Sequence, residues 1–207
     1  MIPTLYKMFQ HWSAAGSVYI ISDTHFDDPD CTIMNPDWIT PEEQIKRINS
    51  VVTRNDTLVH LGDVGNPEWM KQVKCEYRVL ILGNHDKGKQ YYEPYFYEIY
   101  DGALMIAQKI LLSHEPILTL VNGSEIPVMN LHGHCHGEKF DKYLYERNFC
   151  ADVINYTPIS LGKLIKDGLL SDIRDIHKIT VHYASANNIL EKTKNEETWV
   201  RRIGYID

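Results

Sequence analysis

Apolar residues in the first half of the chain fall in short runs, each closed by a glycine or an aspartate. "SVYIISDTH" predicts a buried strand from Ser17 to Ser22 that gives way to a loop at Asp23. "TLVHLGD" and "YRVLILGNHD" repeat the pattern, their apolar stretches ending at Gly62 with Asp63 and at Gly83. Between the first two, Thr40, Pro41 and Glu43 make a capping box with proline in the first helical position, predicting a helix from Pro41 to about Val52. Asn66 caps a second, short helix in "NPEWMKQVK". Strands and helices in strict alternation predict a parallel sheet.

After Gly88 the pattern changes. The aromatic stretch "QYYEPYFYEIYDG" leads into "ALMIAQ", "KILLSHEP", "EIPVMNLHGH" and "NFCADVINY", short strand-like runs with no helical pattern between them. That spacing predicts a mostly antiparallel second half. A helix from about Ser160 in "TPISLGKLIKDGLL" closes it. With no low-complexity linker and no internal repeat, residues 1–207 are expected to form a single domain built from two sheet halves.

The net charge of −7 argues against a broad, nonspecific nucleic-acid-binding face. A nucleotide or nucleic acid stays open as a substrate, because a bound metal would reverse the sign locally. Cys31, Cys75, Cys135 and Cys150 form no C-x-x-C pair, so the spacing of a structural zinc site is missing and free thiols are expected. "MIPTLYKMFQHWSAAG" is broken by Lys7, Gln10 and His11 and lacks the apolar core of a signal peptide, and no run is long enough to span a membrane. A cytoplasmic protein is the resulting expectation.

The residues with chemistry lie where apolar runs end. Asp23 and His25 follow the first strand, Asp63 the second, and Asn84, His85 and Asp86 the third. His114 follows "KILLS", and His134 and His136 stand in "NLHGHCHG". Ligands of open α/β sheets bind at the carboxyl ends of the strands. Any one of these residues has an ordinary reading as a cap, a turn or a satisfied histidine. Their recurrence at five strand ends points instead to an assembled site. If "NLHGHCHG" is extended, His132, His134 and His136 share one face. His60, inside an apolar strand, reads as structural, and His11, His177 and His182 as surface or packing residues.

"DTH", "GD", "GNHD", "SH" and "GHCH", in this order, resemble the five motifs of the calcineurin-like metallophosphoesterases. The resemblance runs from about 17 to 165 and includes "NYTPISL", similar to small phage and bacterial members. It implies an α/β fold of two mixed β-sheets packed as a sandwich flanked by helices, with a dinuclear metal centre at one edge. Carried over motif by motif, Asp23, His25 and His136 would hold one ion, Asn84, His114 and His134 the other, and Asp63 would bridge them. A mixed oxygen and imidazole shell suits divalent transition metals, manganese foremost, with iron, zinc, nickel or cobalt as alternatives. Cys135 falls outside the set and reads as a packing residue on the opposite face. The implied reaction is hydrolysis of a phosphoester, nucleotide-derived compounds included, by in-line attack of a bridging hydroxide. His85 would face the substrate and protonate the leaving oxygen or stabilise developing charge.

Protein phosphatases of the superfamily follow "GD" with an aspartate and an arginine that orient the catalytic histidine and clamp the phosphate. Here Asn66 and Pro67 stand at those positions, which disfavours a phosphoprotein phosphatase and favours a phosphodiesterase. Asp86, His132 and Asn66 are candidates for a supporting layer behind the ligands. The tyrosines from Tyr91 to Tyr100 read as packing first and as a wall for a nucleotide base second. Residues 171–207 read as a C-terminal extension. The alternatives are a nonenzymatic metal-binding interaction scaffold, against which the complete ligand set and His85 count, and a DNA-end nuclease, against which the acidic balance counts.

Overall fold

The computed structural model describes residues 11–106, 109–117, 121, 127–137, 145–171 and 173. Almost all of the C-terminal extension, with His177 and His182, therefore lies outside the described residues. The first sheet has the order β4-β3-β2-β1-β9. Its strands are β1 (Val18–Ile21), β2 (Thr57–His60), β3 (Tyr77–Ile81), β4 (Glu98–Tyr100) and β9 (Ile159–Ser160). β1 to β4 run parallel, and β9 pairs antiparallel on the far side of β1. The second sheet has the order β5-β6-β7-β8, with β5 (Leu104–Ile106), β6 (Ile110–Leu112), β7 (Met129–His132) and β8 (Glu146–Asn148).

Alternate residues of the central strands feed two cores. Val18, Ile20, Val59, Leu61, Val79 and Ile81 pack with Leu104, Ile110, Leu112, Met129 and Leu131 from the second sheet. Ile21, Leu58 and Leu80 point the other way, toward Ile45, Ile48 and Val52. A strand buried on both faces reads as an unbroken apolar run, which is why β1 to β3 stand out in the sequence. Helix α1 (Cys31–Met34) is a single turn, α2 (Pro41–Val51) covers the first sheet, and α3 (Leu161–Lys166) follows β9. The expected caps form: Thr40 Oγ1 accepts from the Glu43 amide at 3.4 Å and Asn66 Oδ1 from Glu68 at 3.2 Å. The helix after Asn66 is a 3-10 helix, Pro67–Gln72. No helix among the described residues is long and apolar enough to cross a membrane.

The expectation of a mostly antiparallel second half is overturned. The β5–β6 pair is antiparallel, whereas β6–β7 and β7–β8 are parallel. Parallel neighbours need a long return but not a helical one. The connections after β6 and β7 are long enough, so the absence of a helical pattern between the runs does not imply antiparallel pairing. The consequence is functional: β6 and β7 both deliver their carboxyl ends to one edge. There the two sheets are stitched at Ser22, whose amide donates to Phe149 O at 2.9 Å and whose carbonyl accepts from Ala151 at 2.8 Å.

Candidate metal centre

Loops after β1, β2, β3, β6 and β7 meet at this edge, and their backbones are bound to each other. The Asp23 amide donates to Gly62 O at 2.9 Å and the His25 amide to Asp63 O at 3.1 Å. The His134 amide donates to Asp23 Oδ2 at 2.9 Å, which ties the second sheet's loop to the first. The loops approach so closely that a methyl group at Gly133 would stand 2.0 Å from Ser22 Oγ and 2.2 Å from Asp23 Oδ2. One at Gly83 would stand 2.2 Å from Asp63 Oδ1.

Two groups of donor atoms result. Asp23, His25 and His136 form the first, with the Nε2 atoms of the two histidines 3.2 Å apart. Asp23 Oδ1 lies 3.5 Å from His136 Nε2 and 3.9 Å from His25 Nε2. Asp63, His114 and His134 form the second, joined by Asn84, whose Oδ1 is 2.8 Å from His114 Nε2 and 3.0 Å from His134 Nδ1. Asp63 lies between the groups: its Oδ2 is 3.3 Å from His114 Nε2 and 3.6 Å from His25 Nε2. Its other oxygen accepts from the His85 amide at 2.9 Å.

With the imidazoles neutral, the atoms that face inward carry no proton to share. His25 Nδ1–H donates to Asp28 Oδ2 at 3.0 Å, and His136 Nδ1–H donates to Asp152 Oδ1 at 3.3 Å. That arrangement leaves lone pairs on both Nε2 atoms, pointed at each other and at a carboxylate. Asp23 Oδ1 is fully buried and accepts no hydrogen bond among the described residues. His114 repeats the pattern, its Nδ1–H donating to Leu61 O at 2.9 Å and its Nε2 facing two oxygens. Buried acceptors crowded together without donors are costly, and a shared cation removes the cost. Nitrogen and oxygen donors in this mixture fit divalent transition metals.

Titration points the same way. Burial opposes charge on Asp63, yet the His114 imidazole beside it and the His85 amide hold its carboxyl down to about 2. Burial also opposes protonation of His114 and His136, but the Asp63 and Asp152 carboxylates beside them and the nearby Asp23 charge raise both above the ordinary histidine value. Surroundings that favour an imidazolium favour a metal ion in the same place.

The remaining expected residues divide. His85 is exposed, outside both donor groups, with its ring centre 5.6 Å from that of His25. The Asp86 carboxylate accepts from the amides of Asp63 and Gly83 at 2.8 Å, from Val64 at 3.0 Å and from Tyr92 Oη at 2.8 Å, so it aligns two loops and has no recorded bond to the His85 ring. Asn66 donates to Asp27 Oδ2 at 2.7 Å and caps its helix, so it too is spent on loop structure. His132 is buried at the end of β7, its Nδ1–H donating to Gly133 O at 2.8 Å. The shared face expected of the three alternating histidines does not form. β7 ends at His132, and His134 has a φ of 68°, which breaks the extended geometry that alternation needs. Cys135 is half-buried in that same loop rather than packed beneath it.

His60 is structural, as expected. It accepts from the Gly62 amide on Nδ1 at 3.2 Å, and its Nε2–H donates to Thr24 Oγ1 at 3.0 Å. Sequence reasoning missed Asp28, Asp152, Cys150 and Trp38. Asp28 has a local signal, three residues after His25. The other three carry none, because their neighbours come from distant loops.

The sequence profile described as calcineurin-like phosphoesterase matches residues 16–202. An uncharacterised protein of Methanocaldococcus jannaschii is 29% identical over 168 residues, covering 72% of this chain and 89% of that protein. The crystal structure of a protein of unknown function from Aquifex aeolicus aligns with a TM-score of 0.58 at 26% identity, covering 72% of this chain and 98% of that one. The Pseudomonas putida nuclease MPE aligns with a TM-score of 0.42 at 23% identity, over 57% of this chain and 61% of its own. With the profile spanning nearly the whole chain, and the five motifs meeting at one edge of two mixed sheets, the chain belongs to the calcineurin-like phosphoesterase family.

Proposed function

We propose that the chain is a dinuclear metal-dependent phosphohydrolase acting on phosphodiesters. Family membership supports metal-dependent phosphoester hydrolysis, and the finer reading rests on one observation: Asp63 Oδ2 stands between two groups of inward-facing donors. Asp23, His25 and His136 would hold one cation, Asn84, His114 and His134 the other, with Asp63 shared. Two bound cations, manganese foremost, would supply the Lewis acidity that neutralises phosphoryl oxygens and lowers the pKa of a water toward neutrality.

The chain's own residues do the rest. The exposed His85 ring beside His25 would donate a hydrogen bond to a substrate oxygen and a proton to the leaving group. Its amide fixes Asp63 from the other side. Among the described residues no lysine or arginine bonds to the donor atoms, and Asn66 is occupied by Asp27. With Asn66 and Pro67 where the protein phosphatases carry an aspartate and an arginine, the singly charged diester is favoured over the doubly charged monoester. For a nucleotide-derived substrate the flat surface at hand is Trp38, 5.6 Å from the His136 ring and 6.2 Å from that of His25. The tyrosine run divides differently: Tyr92 and Phe96 are buried, and Tyr97 stacks on Tyr77.

Metal-free protein, reloaded with manganese or nickel, is expected to hydrolyse an aryl phosphodiester faster than the aryl monoester. His85→Ala is expected to keep its metal and lose turnover, by about a hundredfold or more, while Asp63→Asn loses both. Metal binding with no turnover of either ester would overturn the enzyme reading and leave that of a binding scaffold.

A further inference from the structure

The outward-facing atoms of the first donor group are all occupied. His25 Nδ1–H is held by Asp28, whose other oxygen accepts from the Asp30 amide at 3.0 Å. His136 Nδ1–H is held by Asp152, whose other oxygen accepts from the Gly137 amide at 2.8 Å. Asp23 Oδ2 accepts from His134 N and from the Cys150 thiol, at 2.9 and 3.3 Å. Each support is therefore anchored itself, or delivered by a fully buried residue at the seam between the sheets. What stays bare is one oxygen and two nitrogens, and all three face the same point.

We infer that Asp28, Asp152 and Cys150 are positioning residues that hold Asp23 Oδ1 and the Nε2 atoms of His25 and His136 aimed at one cation before it arrives. The inference rests on the reading that a cation binds there. Each aspartate fixes one histidine in the tautomer with Nδ1 protonated, the form able to ligate through Nε2. The Cys150 proton, given to Asp23 Oδ2, leaves Oδ1 as the free oxygen. The second group is supported otherwise: His114 is fixed by a neutral backbone carbonyl, and His134 stands exposed at the loop.

The test is manganese binding to chelator-stripped protein, followed by the EPR signal of free Mn(II), together with the visible absorption of the cobalt-loaded protein. Asp28→Ala and Asp152→Ala are expected to weaken the affected cation by about 10–100-fold and to shift the cobalt spectrum, with Asp→Asn at either position recovering part of the loss. Asp28 is 28% exposed, so its replacement is the one least dependent on refolding of the interior. The melting temperature of each metal-free variant separates alignment from general damage. Wild-type manganese affinity in both alanine variants would overturn the inference, as would an affinity loss matched by an equal fall in metal-free stability. Failure of the wild type itself to bind manganese would instead overturn the metal-centre reading.

Discussion

Asp23, His25, Asp63 and His134 have backbone φ angles between 40° and 68°, a region that residues with a side chain seldom adopt. Each costs about 1–3 kcal/mol and persists only where the surroundings impose it. Here they are imposed by hydrogen bonds from backbone amides between neighbouring loops and, from below, by His60. Burial drives the His60 pKa down to about 4, and its neutral ring links Gly62 to Thr24. An unfolded histidine titrates near the ordinary 6.5. Below that value the unfolded chain takes up a proton that the folded one refuses, so this stabilisation is complete above 6.5 and is lost as pH falls toward 4. Urea unfolding at about pH 7 and about pH 5 is expected to show His60→Asn losing less stability between the two than the wild type, whatever its absolute stability. Recurrence at strand ends and the motif resemblance pointed to the residues that meet at one edge. They could not reveal what Asn66 and Asp86 do, because those side chains bond to loops remote in sequence.

Among the elements, β1 to β3 were legible because burial on both faces makes their central residues apolar up to the strand ends, where the polar motif residues begin. The second sheet was less so: direction of pairing depends on where a connection goes, and the residues inside a long loop do not encode it. Asp86 shows how such loops are registered. Its carboxylate accepts from three amides and one hydroxyl, joining the loop after β2 to the loop after β3. Asp86→Ala leaves those donors without their acceptor, and a loss of about 3 kcal/mol is expected in denaturant unfolding. Tyr92→Phe removes one of the four bonds and should cost about 1 kcal/mol.

Across the whole molecule, the donors come from both halves. Asp23, His25, Asp63 and Asn84 follow strands of the first sheet, whereas His114, His134 and His136 follow strands of the second. A cation in either group would tie one sheet to the other and bind the folded chain alone. Manganese at about a hundred times its dissociation constant is expected to add about 2.7 kcal/mol per site, seen as a rise in melting temperature that a chelator reverses.

Ser22, the residue that stitches the sheets, immediately precedes Asp23. The two half-sites are therefore indexed against each other at the residue where the first of them begins. Sliding one sheet over the other by a fraction of an ångström would leave most of the shared apolar area covered, yet it would move every donor of one half relative to every donor of the other. The spacing of the donors in this architecture is a finer gauge of sheet alignment than stability is, and substitutions deep between the sheets belong to the site's perimeter although they touch none of its atoms.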